Sequence, residues 1–176
     1  DHLKYLRTFN LHNINGRKTW TQFERIEVIT EKEANSQAKT ALLSGCEGVL
    51  FEITSLPDLN LLLEGIHTDH CYIGFINHSQ EILPVNVSEI KGFGQRVKCE
   101  APAFKNHLLI GTNEDHTIIG SSVSLLRSVL KELSGANTRE YLQNLQVAVN
   151  IGPDFFHEIA RIRALKLLIQ ACAETL

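Results

Sequence analysis

Apolar and polar positions along this chain fall into short continuous apolar runs separated by longer stretches of helical spacing. Near the C-terminus, Val147, Val149 and Ile151 alternate with Ala148 and Asn150, which predicts a short strand. Gly152-Pro153 ends it, and proline suits a first helical position because its missing N–H would have had no partner there. Apolar residues then recur at Phe156, Ile159, Ala160, Ile162, Ala164, Leu167, Leu168 and Ala171, a wide stripe that predicts a long helix pressed on a sheet. Asp154 stands where the helix dipole favours a negative charge. Arg161 and Arg163 are expected in surface or interdomain ion pairs.

Upstream, the same unit repeats. Thr30-Glu31-Lys32-Glu33 has the spacing of a capping box, and the helix behind it is expected to stop at Gly45. Gly48 to Ile53 reads as an apolar strand, Pro57 opens a second helix ending at Gly65, and Cys71 to Ile76 reads as the next strand. His107 to Gly111 is a further strand, followed by helices over Val123–Leu133 and Thr138–Leu145. Between Asn77 and Asn106, Ile82, Val85, Val87 and Ile90 suggest one extended piece, and Pro84 and Pro102 interrupt any long helix. Strands that are continuous apolar runs alternating with helices imply an α/β fold with a parallel sheet covered on both faces. Two architectures fit: a doubly wound sheet, and a (β/α)8 barrel incomplete in this chain. Residues 1–30 are expected to form an irregular extension, anchored by Trp20 and Phe23, on a body spanning 31–176.

Composition narrows the function classes. The chain is 43% apolar and 21% charged with a net charge of −3, which argues against nucleic acid as a partner. No apolar run is long enough to span a membrane. Cys46, Cys71, Cys99 and Cys172 show no C-x-x-C pair, as expected for free thiols in a cytoplasmic protein. The start at Asp1 and the absence of methionine suggest part of a longer chain.

In both architectures ligands meet the C-terminal ends of the strands. Those positions select Thr54, Ser55, Asn77 and His78 as candidate substrate-binding residues, together with Asn113 in the dense polar group Asn113-Glu114-Asp115-His116. Glu52, a carboxylate inside an apolar strand, calls for a partner or a site role. His67-Thr68-Asp69-His70-Cys71 precedes a strand and has no second cluster at zinc spacing, so no metal site is expected. Gly92-Phe93-Gly94 lacks the third glycine of a dinucleotide fingerprint, and no P-loop or G-x-S-x-G is present.

Three segments resemble the barrel domain of the methylmalonyl-CoA mutase family. Phe155-Phe156-His157-Glu158-Ile159-Ala160-Arg161-Ile162-Arg163-Ala164-Leu165-Lys166-Leu167-Leu168 is similar to a family helix reading F-F-x-E-[IV]-A-K-x-R-A-x-R-x-L-W, with Ile169 at the tryptophan. Gly16-Arg17-Lys18-Thr19-Trp20-Thr21 looks like G-R-P-W-T with one insertion, and Gly45 to Glu52 resembles the segment that follows it. Gly120 through Leu130 is similar to A-G-A-x-x-x-x-E-L-A-x-x-L. The resemblance implies part of a TIM-type barrel in an adenosylcobalamin-dependent enzyme that interconverts methylmalonyl-CoA and succinyl-CoA by a radical route. The family barrel threads coenzyme A down its axis. Here Asn10 stands at the catalytic tyrosine, His116 lies one step from the substrate-binding histidine, and the D-x-H-x-x-G cobalamin motif is missing. These departures imply the small, non-catalytic subunit of a heterodimer, with His116 the one weak catalytic candidate and a large catalytic subunit as partner. The alternatives are a self-sufficient acyl-CoA mutase whose cobalamin domain lies elsewhere, and a non-enzymatic α/β binding module.

Overall fold

The structure, a computed structural model, describes residues 21–105, 107–110, 145–149 and 151–175. The strands are β1 (Phe23–Glu27), β2 (Gly48–Ile53), β3 (Tyr72–Asn77), β4 (Leu83–Val85), β5 (Lys91–Gln95), β6 (Val97–Cys99), β7 (Phe104–Lys105), β8 (His107–Ile110) and β9 (Leu145–Ala148). The helices are α1 (Glu31–Leu43), α2 (Leu59–Leu62) and α3 (Phe155–Thr175). The fold is α/β, with a five-stranded sheet in the order β1-β2-β3-β5-β7, every neighbouring pair parallel, and the sheet does not close. β8 follows β7 after one residue, lies beside β5, and pairs in parallel with β9. β1 falls inside the stretch expected to be an irregular extension; its pairing with β2 makes it a strand of the sheet.

Period-two alternation divides the sheet into two faces. Ile26, Val49, Phe51, Ile53, Ile73 and Phe75 point to the back, where they form the buried core. The Phe51 and Phe75 rings stack 5.9 Å apart. α1 lies on the back of β1 and β2. Ala34 and Ala38, both fully buried, bring its axis close to the strands. Thr30 caps α1 as its spacing predicts: the hydroxyl oxygen accepts from the Glu33 N–H at 3.4 Å, and the hydroxyl donates to the Glu33 carboxylate at 2.9 Å. Gly45, at φ +104°, follows the helix end. Asn35, also buried, donates to the carbonyls of Leu62 and Glu64, giving partners to groups that the short helix α2 leaves without bonds of its own.

The second helix is shorter than the Pro57–Gly65 span expected, only Leu59–Leu62, with Asp58 as its cap. From Asn77 to Lys105 the strands follow one another with no helix between them. The expected single extended piece is the short strand β4, and Gly92-Phe93-Gly94 is itself a sheet strand, β5. β4 and β6 lie in the crossovers on either side of β5 and pair in parallel with each other. Between Gln95 and Phe104 there is too little chain for a helical crossover, which takes a dozen residues or more. Leu83, Val85, Val97 and Cys99 instead cover the back of β3, β5 and β7.

β9 begins two residues earlier than Val147 suggests. Among the described residues of α3, Arg161 and Leu165 are buried, while Phe155 and Phe156 are 68% and 82% exposed. The wide stripe read from the sequence is therefore not a uniformly buried face. Of the surface or interdomain ion pairs expected, Arg161 forms one within its own helix: it donates to Glu158 one turn away, and both side chains are largely buried and so not at the surface. No described helix is long and apolar enough to cross a membrane.

Candidate functional site

The front of the sheet, opposite the core, carries two kinds of side chain. Toward the N-terminal ends of the strands Phe23 sits between Tyr72 and Phe93, with ring centroids 6.1 and 5.3 Å away. Two glycines make room for this layer. A Cβ on Gly48 would stand 2.6 Å from the Phe23 ring, and one on Gly74 would stand 2.5 Å from Leu50 and 3.0 Å from Phe93. This half of the face is filled with apolar rings.

Toward the C-terminal ends the face becomes polar. Arg25 pairs in register with Leu50, and Glu52 with Glu27 on one side and Ile76 on the other, so all project to the front. The Arg25 Nη2 donates to Glu52 Oε1 at 2.5 Å, and His78 Nε2 stands 3.7 Å from the same oxygen. The hydrogen bond to Glu52 raises the pKa of the guanidinium; desolvation opposes this, and the carboxylate charge adds to it. Three consecutive parallel strands thus bring a cation, a carboxylate and an imidazole together at the end of the sheet where α/β proteins bind ligands.

Of the residues singled out from the sequence, Glu52 and His78 meet here. Asn77 is buried and spends its amide inside the protein. Its Nδ2 donates to the carbonyls of Glu81 and Arg96, and its Oδ1 accepts from the Ser79 N–H and hydroxyl. Thr54 and Ser55 are exposed in the loop after β2. Asn113 and His116 lie outside the described residues. Sequence reading missed Arg25, although the alternation of Phe23, Arg25 and Glu27 with Glu24, Ile26 and Val28 carried the signal of a half-buried strand.

Elsewhere, Asp69 and His70 pair at 3.3 Å at the opposite end of β3, and no group of three potential metal ligands occurs among the described residues. Beyond β9, Asp154 accepts from the His157 N–H at 3.2 Å and meets the His157 ring at 2.6 Å; these bonds hold its carboxyl below the usual range. Burial pushes the Cys71 and Cys99 thiols up, so neither is primed as a nucleophile. A groove of about 550 Å³ between α2 and β4 is lined by Leu59, Leu63, Ile66, Leu83 and Val87, away from the charged cluster. No protein-family model, curated protein or solved structure matches the chain.

Proposed function

We propose that the chain is a barrel domain resembling the small, non-catalytic subunit of a methylmalonyl-CoA mutase, supporting radical isomerisation carried out by a large catalytic subunit. The observation that carries this reading is the strand order. From β1 to β7 the sheet adds each strand on the same side of the last and never reverses. Parallel crossovers are almost always right-handed, so an unreversed order keeps every connection on one face, as in a barrel; a doubly wound sheet needs a reversal. In that geometry the back of the sheet is the outside and the front is the axis.

The contents of the front favour a supporting role. On this reading Phe23, Leu50, Tyr72 and Phe93 lie along the axis, where a threaded coenzyme A would otherwise pass. No D-x-H-x-x-G motif for adenosylcobalamin, which supplies the radical in such enzymes, occurs in these residues, and in this reading the partner binds it. The residues of this chain shape and support the barrel. A cytoplasmic location belongs to the same reading.

The test is an isomerase assay of the full-length protein with methylmalonyl-CoA and adenosylcobalamin, alone and with the product of its genomic neighbour. No turnover alone and turnover with the co-purified neighbour are expected. Turnover by the lone chain would instead establish a self-sufficient mutase. Failure to bind a mutase subunit would leave the α/β binding module as the reading.

A further inference from the structure

We propose that Arg25, held by Glu52 at the C-terminal rim of β1, β2 and β3, anchors a small oxyanion bearing a neighbouring hydroxyl: a hydroxycarboxylate or a protonated phosphate. This goes beyond the mutase reading and does not depend on it.

A cross-strand ion pair by itself would explain one bond between Arg25 and Glu52. It leaves two features over. First, Glu52 is largely withdrawn from water, its side chain 17% exposed, yet only Oε1 is engaged: Arg25 donates to it, and His78 stands over the same atom. Among the described residues Oε2 has no donor, which leaves it open to accept one. Second, Arg25 is 65% exposed and uses a single N–H. The rest of its planar fork, which matches carboxylate and phosphate oxygens two at a time, faces solvent.

A ligand class follows from combining these features. The Glu52 bond fixes one edge of the guanidinium, so less freedom remains to be lost when an anion meets the other edge. A bare anion there would face the Glu52 charge. An anion with an adjacent O–H would donate that proton to Oε2 while Arg25 takes the negative oxygens. Ile76, buried and in register with Glu52, provides an apolar floor beside the carboxylate. Exposed His78 adds a donor at the rim from the end of β3.

The experiment uses the ¹⁵N-labelled full-length chain and follows the Arg Nε–H and His ring signals by NMR during titration with glycolate, inorganic phosphate and acetate. Saturable shifts of Arg25 and His78 are expected with glycolate or phosphate, and the tighter of the two identifies the source. Acetate, which is ionised and brings no hydroxyl, should bind about tenfold more weakly, the value of one good hydrogen bond. Arg25→Met should weaken binding at least about tenfold, and Arg25→Lys, which keeps the charge and loses the fork, should fall between. Glu52→Gln should erase the preference for glycolate over acetate. If Arg25→Met fails to fold, Arg25→Lys and Glu52→Gln carry the test. Acetate binding as tightly as glycolate, an Arg25 variant binding like the parent, or the absence of any saturable shift would overturn the proposal. None of these readouts involves isomerase activity, so its failure is separate from that of the mutase reading.

Discussion

Residues 23–77 and residues 78–105 contribute neighbouring strands to one parallel sheet and cover its back in different ways. In the first region a capped helix, α1, lies on β1 and β2 and places alanines against the core. In the second, where little chain separates the sheet strands, β4 and β6 form the cover and contribute Leu83, Val85, Val97 and Cys99. Crossover length makes the difference. A helix needs enough residues to run the length of a strand and return, whereas a single extended pass needs about half as many, because a strand rises about 3.3 Å per residue and a helix 1.5 Å. The cost of the shorter route is local. Arg96 takes a positive φ of 57° directly after β5, and Gly92 packs with no room for a side chain.

Gly92 is therefore the sharpest place to break the comparison. Its φ is +153°, and a Cβ there would overlap the carbonyl oxygen of Ile73, its register partner on β3. Backbone on that strand cannot yield without parting the β3–β5 ladder. Gly92→Ala should lower stability by more than about 3 kcal/mol, at the diagnostic end of the range for single substitutions. Gly45→Ala, where φ is +104° but nothing lies within 4 Å, should cost only about 1 kcal/mol. Urea unfolding of the two variants decides the matter. Equal losses would mean that backbone conformation, and not close strand packing, dictates both glycines.

The same division governs what could be read from the residues alone. Elements in the first region announce themselves through local chemistry: the hydroxyl and glutamate of Thr30-Glu31-Lys32-Glu33, the apolar run Gly48 to Ile53, and the glycine after α1. In the second region nothing local distinguishes Leu83-Pro84-Val85 as a covering strand from a loop, because its identity depends on pairing with Val97-Lys98-Cys99 across β5. Gly92-Phe93-Gly94 reads as loop-like from its glycines, yet each glycine is there because a neighbour, Ile73 or Val97, occupies the space. The candidate site was legible in part. Glu52 and His78 stood out, one as a charge in an apolar strand and one as an imidazole at a strand end. Arg25 became visible only once β1 was seen to pair with β2, because its partner lies 27 residues along the chain.

Asn77 joins the two regions and offers an intermediate effect. Its amide satisfies two carbonyls, from Glu81 and Arg96, and accepts from Ser79, tying the start of the first crossover to the turn after β5. Asn77→Ala would remove the amide that links these groups, although the Ser79 hydroxyl still donates to the Glu81 carbonyl and the Leu83 N–H to the Arg96 carbonyl, and a loss of about 2 kcal/mol is expected. His78 and the rim depend on this turn for their position. Thr54→Ala, at an exposed neighbouring site, should stay within about 0.5 kcal/mol. If Asn77→Ala proved as mild as Thr54→Ala in the same unfolding measurement, its amide could not be fastening the crossover, and a ligand-facing role would regain ground.

Thr30→Ala gives a smaller effect than Asn77→Ala and isolates the helix-covered region. The Thr30 hydroxyl both accepts from the Glu33 N–H and donates to the Glu33 carboxylate, so removing it frees one helix donor and one carboxylate. Both groups are exposed, and water replaces the lost bonds in part. The expected cost is about 1 kcal/mol, with Thr30→Asp close to neutral because aspartate also caps and suits the positive end of the helix dipole. Hydrogen exchange should speed up in the first turn of α1 and remain unchanged in β4 and β6, which share no cap with it. Faster exchange across β4 and β6 as well would show that the two covers open as one unit, and would remove the distinction between them.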